Sequence, residues 1–230
     1  MSRSVLPVTL TAEHDAPTVS RSARWLALGA VVGPVLFDVA WVVLGLVSRG
    51  YTLFDHTFTH YSPISQSISG LGMGSTAPFM NAAFIVSGLV TMVGAYGVLA
   101  TTTAVGRTTA RRVCAALLGL TGVGQVIDGT FHLDAWLPHT IGFLFAMGTP
   151  VISFLVAGFY FRRIRRWRRF GTRLLLGSPL TLLLVVAYFM TFQPTADGAE
   201  HGIAGLVQRI GVIEVHSWFA AMGLLAFRRR

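Results

Sequence analysis

The sequence predicts an all-α integral membrane protein, a bundle of six transmembrane helices with both termini cytoplasmic. Three observations predict it. Of the 230 residues, 53% are hydrophobic and only 12% charged, against the roughly one quarter charged residues usual in soluble domains. Six apolar stretches recur at lengths near the 20 residues or so that a helix needs to cross a bilayer's hydrocarbon core. All 18 basic residues are Arg, and they fall in short clusters between the apolar stretches. That placement marks membrane topology, not a nucleic-acid surface.

Taken in order, residues 1–24 are polar and include Glu13, Asp15 and Pro17. They lack the apolar core of a secretory signal and read as a flexible cytoplasmic tail. Residues 25–230 then form one transmembrane domain, with spans expected near 25–48, 79–100, 113–130, 140–161, 174–193 and 208–227. Arg3, Arg21 and Arg24 precede the first span, Arg107, Arg111 and Arg112 follow the second, and Arg228, Arg229 and Arg230 close the chain. The cluster RRIRRWRRFGTR lies between the fourth and fifth. Sixteen of the 18 Arg therefore share one side, leaving Arg49 and Arg209 on the other. The positive-inside rule makes the Arg-rich side cytoplasmic, in a multi-pass protein of the cell (inner) membrane. An anionic-lipid site at the Arg cluster is the alternative, but topology accounts for it without a ligand. The lone Cys114 excludes an internal disulfide and reads as a buried thiol.

The longest outer segment, 49–78, reads RGYTLFDHTFTHYSPISQSISGLGMGSTAP. A loop of this length is usually functional or ordered against something, and a cap folded over the bundle is expected. With its flanks it also carries a resemblance. Gly33 and Pro34 in the first helix, the Gly50-Tyr51 turn, Ile64-Ser65, Ile68-Ser69 and Leu71-Gly72, then Asn81, Phe84 and Gly88 follow one pattern. It is similar to that of the bacterial membrane proteins known as domain of unknown function 998. The resemblance extends through GLVQRIGVIEVHSW and implies the fold. It implies no activity, and neither Asp38 nor FHLDAW belongs to the pattern.

Ionisable residues inside membrane helices are costly and by default mark functional sites. Three acids qualify: Asp38, Asp128 and Glu214. At 1.5 Å of rise per residue they lie about 20, 22 and 20 Å from the inner surface, a shared depth in the outer hydrocarbon layer. They are the candidate catalytic groups, since a buried carboxyl can act as a general acid. Helical spacing places Trp41 beside Asp38, Gln125 beside Asp128 and Trp218 beside Glu214. Arg209 and His216 share another stripe. Trp41, Trp218, His132, Asp134 and His216 are the candidate substrate-binding residues. An outer set of His56, His60, His132, Asp134, His139, Asp197, Glu200 and His201 raises the question of zinc. HTFTH would place two His on one face if helical, but no known zinc spacing occurs, so no metal and no cofactor is expected.

The expected partners are the lipid bilayer and a hydrophobic small-molecule substrate, with no nucleic acid. One function is an enzyme acting on a lipid or isoprenoid, in its most specific form a terpene cyclase-like activity started by a buried carboxylic acid with aromatic walls steadying the cation. A second is a lipid hydrolase or transferase using the outer His and Asp residues. A third is a transporter or scaffold. No inverted repeat is evident, which weighs against a secondary transporter.

Overall fold

The computed structural model describes residues 20–102, 108–193 and 200–228. It contains six helices long and apolar enough to cross a membrane: α1 (Arg21–Val47), α2 (Ala77–Ala100), α3 (Thr108–Thr130), α4 (Trp136–Arg162), α5 (Arg165–Thr191) and α6 (Ala204–Arg228). Each lies where hydropathy places it, but all six start earlier, by two to nine residues. Helices α1, α3 and α5 begin with turns containing Arg21 and Arg24, Arg111 and Arg112, and Arg165 through Arg173. Arg is a good helix former whose apolar stem lies along the helix while its head stays polar, so a hydropathy window stops short of the real helix end. The rest of the expected tail, and Asp197 of the outer set, lie outside the described residues.

Helices adjacent in sequence are adjacent in space, and α6 closes the ring by packing on α1 and α5 while also touching α2. Lipid offers little hydrophobic drive between helices, so close backbone approach has to supply the packing. Gly94 of α2 lies directly on the backbone of Gly29 and Ala30 of α1, and Gly88 of α2 faces Gly122 of α3, each against the other's carbonyl. A Cβ at any of these would collide with backbone. Helix α4 carries a π turn at Leu144–Gly148, just before Pro150. That proline has no N–H and crowds the carbonyl of Ala146, and a widened turn is how a helix absorbs such a defect.

Between α1 and α2 the chain forms the cap that its length led us to expect, in two parts. The first is a hairpin of β1 (Tyr51–Leu53) and β2 (His56–Phe58), with Tyr51 opposite Phe58. Its turn residues Phe54 and Asp55 have φ of 47° and 65°, the left-handed pair that matches strand twist. HTFTH thus begins as a strand, and His56 and His60 do not share a helical face. The second part is a plug. Residues 65–72 are all buried, ending in a 3₁₀ turn at Ile68–Gly72.

Irregular backbone inside a membrane bundle is tolerable only where protein satisfies its polar groups. Here α6 does most of that. Gln208 Oε1 accepts from Ile68 N at 2.7 Å, Arg209 Nη1 donates to Gln66 O at 2.9 Å, and Leu206 N donates to Ile64 O at 2.8 Å. Asn81 Nδ2 and Thr76 Oγ1 of the α2 start cover Gly72 O and Leu71 O. Gly205 leaves room for the Gln66 and Pro63 carbonyls against α6. Arg209 also donates to Tyr61 Oη and Gly205 O, and its guanidinium lies 5.3 Å over Trp41 and 5.6 Å over Tyr61. One of the two Arg on the side opposite the clusters is therefore a buried pin, only 5% exposed.

Candidate active site

Two His–Asp pairs approach one small cavity beneath the plug. In the first, Ser69 Oγ lies 2.9 Å from His139 Nε2, His139 Nδ1 lies 2.8 Å from Phe131 O, and Asp128 Oδ1 lies 3.7 Å from the same Nδ1. Ser69 comes from the 3₁₀ turn of the plug, Asp128 from the end of α3, Phe131 from just past that end, and His139 from the first turns of α4. All three of Ser69, His139 and Asp128 are buried. A carbonyl oxygen can only accept, so Nδ1 carries the proton of the neutral ring, and its Nε2 lone pair is the acceptor for the Ser69 hydroxyl.

In the second pair, His216 Nδ1 of α6 lies 2.9 Å from Asp38 Oδ1 of α1, which also accepts from Trp41 Nε1 at 3.1 Å. His216 Nε2 lies 3.1 Å from Gln125 Nε2. With Nδ1 donating to the carboxylate, Nε2 accepts from the Gln125 amide N–H. The cavity between the pairs has a volume of about 30 Å³ and is lined by Ser69, Gln125, Asp128, Gln208 and His216 among the rings of Phe37, Phe84 and Phe143. A second pocket of about 20 Å³ lies on the other side of Ser69, walled by Trp136, His139, Tyr188, Phe189 and Phe192. Ser69 and Phe143 are the wall the two share.

The three acids of equal expected depth do not form one cluster. Asp38, through His216, and Asp128 reach the cavity, whereas Glu214 turns toward α5, accepting from Thr181 Oγ1 at 2.8 Å and Trp218 Nε1 at 2.6 Å. Depth fixes height but not rotation: Glu214 and His216 are two residues apart on α6 and so face nearly opposite ways. Both expected Trp partners are where helical spacing puts them. His132 and Asp134 are exposed and line none of these pockets. Asp134 Oδ1 accepts from Ala135 N. Ser69 and Gln208 carried no chemical signal of their own in the sequence. His139 stood only among the outer His and Asp, because its separation from Ser69 is visible only once the plug is folded.

Above the plug, His60, Ser62, Gln66, Glu200 and His201 line a polar cleft of about 220 Å³, and His56 Nε2 pairs with Glu200 Oε1 at 3.2 Å. Among the described residues, no group of three His, Cys, Asp or Glu is placed to hold a metal ion. The cap's phenols are perturbed: burial pushes Tyr61 up to about 12 against the pull of the nearby Arg209 charge, and burial raises Tyr51 further.

The chain belongs to the family described as Protein of unknown function (DUF998), whose family model matches residues 31–225. No curated protein and no solved structure matches it.

Proposed function

We propose that the chain is a membrane-embedded enzyme that transfers the acyl group of a lipid, a hydrolase or transferase with Ser69 as nucleophile. The observation that carries this reading is the bond from the Ser69 hydroxyl to the free lone pair of His139. A serine hydroxyl is a weak nucleophile until a base takes its proton as it attacks. His139 sits within reach of that proton, and the Phe131 carbonyl fixes the tautomer that can receive it. Asp128, 3.7 Å away, stabilises the imidazolium that forms, as the third member of such sets does. Gln208 lines the cavity, and with its carbonyl oxygen held on Ile68 N its amide N–H group is the donor for a developing oxyanion. The ester carbonyl approaches through the ring-walled pocket at Trp136, Phe189 and Phe192, where Trp136 and Phe189 are half exposed on the lipid-facing surface. With the Arg-rich side cytoplasmic, the site faces the outer leaflet of the cell membrane.

The acid-initiated cyclase is the second reading. Its support is that the Asp128 Oδ1 atom faces a cavity rimmed by three Phe rings and accepts no hydrogen bond from any described residue. Asp38 and Glu214 serve it less well, since each already accepts two hydrogen bonds. A cavity of about 30 Å³ has room for a water molecule or two, not for a folded prenyl chain, whereas acyl transfer needs only the ester carbonyl to reach Ser69 with the chain left in the bilayer, so acyl transfer is the better supported.

The test uses purified full-length protein in liposomes. Acyl transfer predicts that a fluorophosphonate labels Ser69, and that acyl groups leave a chain-labelled phospholipid in the wild type but not in Ser69→Ala or His139→Ala. A folded wild type that neither reacts at Ser69 nor consumes the lipid overturns it. A prenyl substrate cyclised by Ser69→Ala but not by Asp128→Asn would establish the cyclase instead.

A further inference from the structure

The Ser69 reading leaves open what receives the acyl group, and the inner cavity points to an answer. Two buried acceptors line it with no donor from any described residue: Asp128 Oδ1 and Gln125 Oε1. Each belongs to a residue only 4% exposed. An unpaired buried acceptor is expensive, and two at one cavity call for a ligand that donates to both. The size, about 30 Å³, exceeds what one water needs and excludes a lipid hydroxyl with its carbon chain. A sodium or calcium ion would require about six oxygens. The cavity's side chains offer Asp128, Gln125 and Ser69, because the Gln208 oxygen is taken by Ile68 N.

We propose that this cavity is the binding site of the hydrolytic water, so that the enzyme is a hydrolase rather than a transferase; this rests on the Ser69 reading. Ser69 and Phe143 alone are shared between the cavity and the ring-walled pocket. The acyl carbonyl therefore reaches the serine from one face, its chain left in the bilayer, and the water from the other. The water donates to Asp128 Oδ1 and Gln125 Oε1. In the acyl-enzyme Ser69 Oγ no longer carries a proton, which leaves His139 Nε2 open. As the water oxygen attacks the acyl carbon, the proton it had donated to Asp128 Oδ1 turns to His139 Nε2, which reaches Ser69 from the adjoining pocket, while the other proton stays on Gln125 Oε1. As the bond between that carbon and Oγ breaks, the proton moves on to Oγ, and the fatty acid leaves with the water's oxygen and its other proton. Gln125 is thus a positioning residue, and His216, anchored on Asp38, fixes which end of its amide faces the water.

Gln125→Leu in full-length protein reconstituted with chain-labelled phospholipid tests this. The expected result is wild-type labelling of Ser69 by fluorophosphonate, acyl-enzyme accumulating in intact-mass spectra, and fatty acid release slowed about a hundredfold. Val212→Leu, which adds one methylene to the same cavity without touching a hydrogen bond, is expected to do likewise and serves if the first variant fails to fold. Release at the wild-type rate in a folded variant overturns the water site. A wild type that passes acyl groups to lipid hydroxyls without releasing fatty acid overturns it too, yet leaves Ser69 as nucleophile. Absence of any Ser69 labelling in the wild type removes both.

Discussion

Replacing Arg209 by Met removes the pin between the plug and α6 while keeping much of the side chain's apolar volume. Gln66 O then loses its donor at 2.9 Å inside the protein, a cost of about 1–3 kcal/mol for a buried unpaired acceptor. Gly205 O keeps its helical backbone bond, and Tyr61 Oη still donates to Ser67 O at 3.0 Å, so neither adds much. Loss of the cation from the faces of Trp41 and Tyr61 removes about 1–2 kcal/mol more. Relief from burying a guanidinium offsets part of this, leaving about 3 kcal/mol. That corresponds to roughly a hundredfold more opening of the plug. Hydrogen exchange reads it directly: amides of residues 65–72, Ile68 above all, should exchange about a hundredfold faster in Arg209→Met, with Arg209→Lys intermediate. Protection of the plug within about threefold of wild type, in a folded variant, would refute the idea that Arg209 holds it.

Other outcomes follow from single contacts. Gly142→Ala should abolish fatty acid release with the helices intact, because a Cβ there would strike the Asp128 carboxyl; circular dichroism and the lipid assay together check it. Glu214→Gln should leave activity within about threefold of wild type in the same assay, since Glu214 reaches no cavity group. Gly50→Ala should destabilise the cap in a thermal melt, both because φ is 93° and because the Phe58 carbonyl fills the place of a Cβ. Alkaline stability should fall between pH 10 and about 12 as the unfolded chain loses the Tyr61 proton that the fold retains, by about 3 kcal/mol from Tyr61, with the more strongly raised Tyr51 adding to the loss. Spectrophotometric titration should show one phenol ionising near pH 12, and later still in Arg209→Met, where the opposing charge is gone.

The helices were legible because a 20-residue apolar run has few other uses, and their side-chain neighbours because spacing of three or four fixes a face. Asp38 with Trp41, and Glu214 with Trp218, needed nothing more. What sequence could not show is rotation and distant pairing. His216 meets Asp38 across 178 positions, and Ser69 meets His139 across 70. Nothing local in either member announces the other. The hairpin escaped notice because its turn, Phe54-Asp55, lacks the Gly or Asn that marks most such turns. Arg209 looked like an exception to a topology count and proved to be a donor to the backbone of the cap.

The plug also sets an order of assembly. Residues 61–72 leave the ribosome long before Leu206, Gln208 and Arg209, the groups that satisfy Ile64 O, Ile68 N and Gln66 O. During synthesis the segment therefore has to wait, hydrated at the membrane surface, while four more helices insert. It can sink between them only when the last helix arrives. A chain shortened before α6 would leave Ile64 O, Gln66 O and Ile68 N without these partners, and the plug could not be completed.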